Sequence, residues 1–227
     1  MSDEASGESE CYRLLVLFYG VPPSREQIDN ARALLPAARV THFAKCDAHS
    51  ERASMWTRNP TGRLPTSRLA LEYDSDSVQW DVAVEVAHKL SGEAHWCVGT
   101  SPIPHPLGSN ETFAGTLQLC CFERAGGLPD DALRRIWFHE HASVAVETQN
   151  NVGYRQNLVM RSSHDRLDGI VEELFPIEAA DSLTDFFADG DDQEKMMAHI
   201  HRLTQSSERV LNLEKSSVIH MTEQRID

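Results

Sequence analysis

The residues best suited to chemistry lie in the second half of the chain. Trp137 and His141 are four residues apart in a segment with helical periodicity, so both side chains should share one face of that helix. An imidazole on an apolar, sheet-facing surface can give or take a proton near neutral pH. We therefore predict that His141 is a general acid or base. The alternative, a hydrogen-bonded core histidine, stays open.

A carboxylate on a strand is the second candidate. Glu172 shares a strand face with Ile170 and Leu174. A carboxylate between two aliphatic side chains is costly to bury unless it is paired or protonated. Glu172 is therefore predicted to be a second acid/base group, although periodicity alone leaves open whether Glu172 or Glu173 points inward.

Tyr154 and Asn157 could orient a carbonyl or a hydroxyl group of a substrate. Residues an odd number apart on a strand face opposite sides, so these two side chains cannot act from one face. Gln156 falls on the same face as Tyr154. Hydrogen bonding within the sheet explains these side chains equally well.

Metal, phosphate and covalent chemistry have little support. The pairs His139/His141 and His199/His201 are spaced i,i+2 on helices, so their rings diverge. The chain contains neither a glycine-rich phosphate loop nor a G-x-S-x-G serine motif. Its five cysteines lack C-x-x-C spacing and are expected to be small buried side chains in a reducing compartment. We therefore predict no metal and no cofactor.

The composition excludes several classes of partner. A formal net charge of -14 argues against nucleic acid and against an anionic membrane surface. No apolar run approaches the length needed to cross a bilayer. Residues 1–10 are acidic and polar, so they are predicted to be a disordered start rather than a secretion signal. These features favour a cytoplasmic protein.

The elements that must position the candidate residues occur in one order twice. In the first half, strand patterns cover 12–19, 39–46 and 69–73, and helical patterns cover 24–35 and 78–90. Ser24 and Gln27 have the spacing of a capping box at the first helix. In the second half, strand patterns cover 112–123, 153–161, 167–175 and 214–224, and helical patterns cover 130–147 and 193–204. Residues 91–110 show little periodicity and are predicted to connect the halves.

This order predicts an α+β fold made of two tandem ferredoxin-like βαββαβ modules with antiparallel sheets packed together. The first half supplies βαββα, and the second half adds a closing strand. The predicted boundaries are a disordered N-terminus over 1–10, a divergent module over 11–95, a linker over 96–111 and a second module over 112–227.

Residues 113–175 resemble the EthD family, a branch of the dimeric α+β-barrel superfamily. The resemblance is carried by Gly127-Leu128, Trp137, His141-Ala142, Tyr154-Arg155-Gln156-Asn157 and Asp168-Gly169-Ile170-Val171-Glu172. The first half of the chain matches only in element order. Many relatives have a histidine after the Gln-Asn pair, where this chain has Leu158, so His42 in the first module is a candidate replacement.

The resemblance implies how the chain assembles and where a substrate binds. Family members usually dimerise to form the barrel, so this chain would form it internally as a fused pseudo-dimer, and a further homodimer stays open. The barrel would bind a hydrophobic or aromatic small molecule, with Gln156 among its contacts. Its aromatic lining would be Phe113, Phe122, Trp137 and Tyr154.

Relatives in the superfamily include isomerases, cyclases, dehydratases and cofactor-free monooxygenases. We therefore expect a cofactor-independent lyase or isomerase that acts on an aromatic, polyketide-like or lactone compound. His141 would move the proton, with Tyr154, Asn157 or Glu172 assisting. The alternatives are a cofactor-free monooxygenase and a non-catalytic accessory protein that binds a hydrophobic metabolite.

Overall fold

A computed structural model of the protein describes residues 11–35, 38–164, 167–187 and 192–227. The predicted disordered start, 1–10, lies outside these residues. The strands are β1 (Cys11–Phe18), β2 (Val40–Lys45), β3 (Ser67–Tyr73), β4 (Gly92–Ile103), β5 (Thr116–Arg124), β6 (Gly153–Ser162), β7 (Gly169–Phe175) and β8 (Leu211–Arg225). The α-helices are α1 (Arg25–Leu34), α2 (Ala48–Arg52), α3 (Trp80–Lys89), α4 (Asp130–Arg135), α5 (Ala142–Thr148), α6 (Leu183–Phe187) and α7 (Gln193–Glu208). A π-helical segment, Ile136–His141, joins α4 to α5, and short 3-10 helices occur at Ser54–Trp56 and Ile177–Ala180.

The eight strands close into one antiparallel barrel in the order β1-β3-β2-β8-β5-β7-β6-β4. The first four strands lie in the order β4-β1-β3-β2, and the last four lie in the equivalent order β8-β5-β7-β6. Each set is a ferredoxin-like sheet, and the sheets join where β2 pairs with β8 and β4 pairs with β6. The predicted α+β barrel of two βαββαβ units is confirmed.

The sequence prediction was wrong at the connection between the halves. Residues predicted as linker from position 96 form most of β4, which covers Gly92–Ile103. This strand pairs with β1 on one side and with β6 on the other. Hydrogen-bonding partners on both edges outweigh the weak strand propensity of its Gly, Pro and Ser residues, so the connection begins after Ile103.

Alternation along the strands separates the barrel interior from the outer faces. On β1, Leu15 and Leu17 point into the barrel, whereas Leu14 and Val16 pack in the outer cluster that helices α1 and α3 cover. The barrel interior contains an apolar cluster to which Leu15, Leu17, Leu117 and Leu119 contribute. The capping box at the start of α1 is present as predicted, with the side chains of Ser24 and Gln27 each bonded to the other's backbone. All five cysteines are free.

The outer face of the second sheet packs against the helical segments from α4 to α5 and against α7. The ring of Trp137 is fully buried there and meets Phe122 edge to face, with centroids 4.9 Å apart at 82°. A Cβ atom on Gly169 would lie 2.4 Å from Cζ of Phe122 and 2.7 Å from Cη2 of Trp137. Only a glycine at position 169 leaves room for this aromatic pair.

Candidate active site

The structure divides the predicted site residues between the two faces of the second sheet. Those on the outer face, beneath the helices, are Phe122, Trp137, His141, Tyr154 and Gln156. Those facing the barrel interior are His42, Phe113, Asn157 and Glu172. The expectation that four aromatic side chains line one pocket inside the barrel was therefore wrong. Strand alternation is the reason, because Phe122 and Tyr154 occupy outward positions on β5 and β6.

The outer face carries a row of polar side chains across the four strands of the second sheet. The strand register places His220, Gln118, Glu173 and Tyr154 side by side. Nε2 of Gln118 donates to Oε2 of Glu173 at 2.9 Å, and Oε1 of Gln118 lies 3.1 Å from Nε2 of His220. Because that amide oxygen only accepts, His220 carries its proton on Nε2. Its Nδ1 then accepts from the hydroxyl of Thr116 at 3.0 Å.

A cavity of about 160 Å³ lies between this row and the helices. Its floor includes Gln118, Glu173 and Tyr154, and its roof includes His141 and Leu203 of α7. An apolar cavity of about 150 Å³ holds a benzene molecule. The space therefore fits one ring, or the reacting end of a larger molecule.

His141 ends the π-helical segment, whose wider turn is frequent at functional sites. The amide of Ala142 donates to the carbonyl of Trp137, five residues earlier. That carbonyl also accepts from Nε2 of Gln156 at 2.9 Å, so Gln156 supports the backbone rather than facing the cavity. Nδ1 of His141 lies 2.9 Å from Oγ of Ser206 on α7. Burial and a nearby arginine lower the pKa of His141 to about 4, so its ring is neutral at pH 7.

Glu173, rather than Glu172, shares the cavity with His141. Burial raises the pKa of Glu173 to about 7, against the opposing effect of its hydrogen bonds from Gln118 and Asn151. A carboxyl group with this pKa can take or release a proton at neutral pH. Burial also raises the pKa of Tyr154 well above its ordinary value, so its hydroxyl stays protonated. The cavity thus combines an acid/base carboxyl, a neutral imidazole and a phenol.

Glu172 points the opposite way, into a buried group of charges that we call the interior ion cluster. Its members are Arg13, Glu72, Arg68, Arg155, Glu172 and Glu223. Nη2 of Arg68 lies 2.5 Å from Glu172 and 2.6 Å from Glu223. Burial alone would raise the pKa of Glu172, but the guanidiniums of Arg155 and Arg68 outweigh it and hold that pKa below its usual range. Glu172 is therefore an ionised structural partner and is poorly suited to accept a proton.

Asn157 belongs to the interior ion cluster, and His42 lies near it. Nδ2 of Asn157 donates to Glu172 at 3.0 Å, and its Oδ1 accepts from Arg13 at 3.0 Å. Both ends of the amide are used by the protein, so Asn157 links two of the cluster's charges. His42 lies at the end of the barrel, beside a separate cavity.

Sequence reasoning missed Gln118, His220 and the interior arginines. The signal for the arginines is a charged residue at an inward position of an otherwise apolar strand. Arg13 is in register with Leu15 and Leu17 on β1, and Arg68 occupies such a position on β3. A buried charge in such a place calls for buried partners of opposite sign, but the sequence does not say which strands supply them.

No protein-family model matches the chain, and no curated protein matches it. Among solved structures, an anthrone oxidase-like protein superposes with a TM-score of 0.55 at 11% identity, covering 97% of this chain and 93% of that one. A protein from Lactobacillus acidophilus NCFM, provisionally named a monooxygenase, superposes with a TM-score of 0.45 at 9% identity, covering 95% and 94%. The first likeness shows the fold. The resemblance to the EthD family stays a prediction.

Two features of the described residues concern other kinds of function. No helix in that part of the chain is long and apolar enough to cross a membrane. Nor do the same residues contain a group of three or more His, Cys, Asp or Glu side chains that could hold a metal ion.

Proposed function

We propose that the protein is a cofactor-independent enzyme that moves a proton on a small substrate held between the second sheet and helices α5 and α7. The observation that carries this proposal is that Glu173 and His141 face one ring-sized cavity. The carboxyl of Glu173 has a pKa of about 7 and the imidazole of His141 is neutral. Glu173 can therefore give or take a proton at neutral pH, and the neutral imidazole beside it can hydrogen-bond the substrate.

In this proposal each group has one role. Glu173 removes a proton from a carbon next to a carbonyl group. Tyr154, with its hydroxyl protonated, donates a hydrogen bond to the oxygen on which negative charge develops. Glu173 then returns this proton to a second atom of the substrate or to the leaving group, and the neutral imidazole of His141, held by Ser206, hydrogen-bonds the substrate. Dehydration, cyclisation, isomerisation and retro-aldol cleavage all need these groups and no electron carrier, so we favour a lyase or an isomerase.

The walls of the cavity support an aromatic, polyketide-like or lactone substrate. The polar row forms one side. The remaining lining includes the apolar side chains of Val171, Leu203, Leu211 and Val218, together with Arg58, Gln149, Ser207 and Ser216. A flat ring would contact these apolar groups while its oxygen atoms meet Tyr154 and Glu173. The EthD-like spacing of the sequence supports the same substrate class.

The test is a ligand screen by thermal shift with aromatic lactones, polyketide mimics and phenols. The protein would be compared with Glu173→Gln, His141→Gln and a control, His139→Gln, which alters an exposed histidine of the same π-helical segment. Each binder would then be incubated with every variant and analysed by mass spectrometry. We expect the wild type and the control to form product, and the two cavity variants to bind without turnover.

The mass of the product distinguishes the reactions. Loss of water or of an aldehyde indicates a lyase, and an unchanged mass with a new retention time indicates an isomerase. A gain of oxygen would replace the proposal by a cofactor-free monooxygenase. Binding without product in every sample would replace it by an accessory protein that holds the metabolite. Equal turnover by Glu173→Gln would remove the proposed base.

A further inference from the structure

A second cavity, of about 520 Å³, opens at one end of the barrel. It lies on the interior side of the second sheet, away from the pocket that contains Glu173. Its lining includes four guanidiniums, two imidazoles and one carboxylate, from Arg13, Arg39, Arg155, Arg225, His42, His105 and Glu72. This excess of cationic side chains stands out in a chain with a formal net charge of -14. The volume is within the usual range of small-molecule sites.

The guanidiniums at this cavity keep hydrogen-bond donors for a ligand. A guanidinium carries five N–H donors, and Arg13 uses three, to Glu72, Asn157 and Ser101. Arg155 donates through Nη2 to Glu223 at 2.7 Å. Its Nε lies 3.5 Å from Glu172 and has no hydrogen-bond partner among the described residues. The carboxylates therefore hold these guanidiniums in place without using all of their donors.

His42 gives a second, independent sign that the cavity takes a polar ligand. Only 5% of this residue is exposed, yet its Nε2 has no hydrogen-bond partner in the part of the chain that the structure describes. A buried polar atom without a partner is destabilising. Burial lowers the pKa of His42, so its ring is neutral and carries one N–H that can donate to a ligand oxygen.

The remaining lining limits the kind of anion. Val40, Pro104, Pro106 and Leu107 add an apolar wall, so the ligand should carry a hydrocarbon body. The interior ion cluster contains three arginines and three glutamates, so its charges balance. One added negative charge suits such a site better than a multiply charged phosphate does. Guanidiniums also match the planar geometry of a carboxylate.

We infer that the end of the barrel is a binding site for a small organic carboxylate. Its carboxylate group meets Arg13, Arg155 and His42 and is attracted by the charge of Arg39 in the same lining. Its hydrocarbon part lies against Leu107 and the two prolines. The site is separated by the second sheet from the proposed catalytic pocket, and it does not depend on the reaction proposed there.

The test is calorimetric titration of the purified protein with benzoate, with benzamide and with inorganic phosphate. Two variants remove cationic or polar groups of the cavity with little risk to folding. His42→Leu deletes a ring whose Nε2 has no partner, and Arg39→Gln changes a side chain that is 59% exposed. The matched control is Arg52→Gln, since Arg52 is also an exposed arginine paired with an acid, Asp181, but lies outside the cavity lining.

We expect saturable binding of benzoate and binding of benzamide weaker by about tenfold or more, as for the loss of a charged hydrogen bond. His42→Leu and Arg39→Gln should each weaken benzoate binding by about tenfold or more as well, and Arg52→Gln should not. Full benzoate affinity in Glu173→Gln would place this site apart from the proposed catalytic pocket. The inference is overturned by equal affinities for benzoate and benzamide, by phosphate binding more tightly than benzoate, by unaltered affinity in both cavity variants, or by no benzoate binding.

Discussion

Glu172 and Glu173 are neighbours on β7, and the structure predicts opposite consequences when each is replaced by glutamine. In the folded protein the pKa of Glu173 is about 7, compared with an ordinary value of 4.5. The folded state therefore holds this proton more tightly than the unfolded state does. As the pH rises from 4.5 towards 7, Glu173 lowers the free energy of unfolding, and Glu173→Gln should remove this loss.

The size of the effect follows from the two pKa values. With values of 4.5 unfolded and about 7 folded, Glu173 costs about 1.4 kcal/mol of stability at pH 5.5 and about 3 kcal/mol at pH 8. Glutamine keeps an oxygen that can accept from Gln118, which donates to Glu173 at 2.9 Å. We therefore expect the stability of Glu173→Gln relative to the wild type to increase by about 2 kcal/mol between pH 5.5 and pH 8.

Glu172→Gln should lower the free energy of unfolding, the opposite of the effect expected for Glu173→Gln. The pKa of Glu172 is held low by Arg155 and Arg68, so the ionised form stabilises the fold at every pH above about 4.5. Removing its charge deprives the buried guanidiniums of Arg68 and Arg155 of one anionic partner. Breaking a buried ion pair in this way costs about 3–5 kcal/mol.

Urea unfolding of the three proteins at pH 5.5 and pH 8, followed by circular dichroism, measures both effects. The wild type corrects for every other group that titrates in this range. If the difference between Glu173→Gln and the wild type is the same at both pH values, the raised pKa of Glu173 is refuted. If Glu172→Gln is as stable as the wild type, the ion pairs of Glu172 do not hold the barrel together as described.

Three further changes test the packing by urea unfolding. Gly169→Ala should destabilise by about 1–3 kcal/mol, because its Cβ would overlap two aromatic rings, whereas the control Gly126→Ala meets open space and should change little. His95→Leu should raise the free energy of unfolding, because neither ring nitrogen of His95 has a partner among the described residues. The gain over the wild type should grow as the pH falls from 6.5 towards 4, because burial lowers the pKa of His95 to about 4. Ser24→Ala should cost about 1 kcal/mol by removing the cap of α1, and an unchanged midpoint would contradict the capping box.

Local patterns in the sequence were enough to find most of the elements. The capping spacing of Ser24 and Gln27 and the repeated strand–helix order predicted two ferredoxin-like units. Most of β4 was missed because its Gly, Pro and Ser residues have weak strand propensity. Hydrogen bonds to β1 and β6 stabilise it as a strand. The short helices α2 and α6 carry too few residues to show a period.

The sequence was enough to predict that Glu172 and Glu173 face opposite sides of a strand, because side chains alternate along an extended backbone. It could not say which side is the barrel interior and which lies beneath the helices. Closure of the barrel decided that, because it brought Arg68 and Arg155 from distant strands to Glu172 and left Glu173 under His141. One carboxyl is therefore ionised in an ion cluster and the other titrates near neutral pH. The difference between them is one of tertiary surroundings, since burial and neighbouring charges set a pKa.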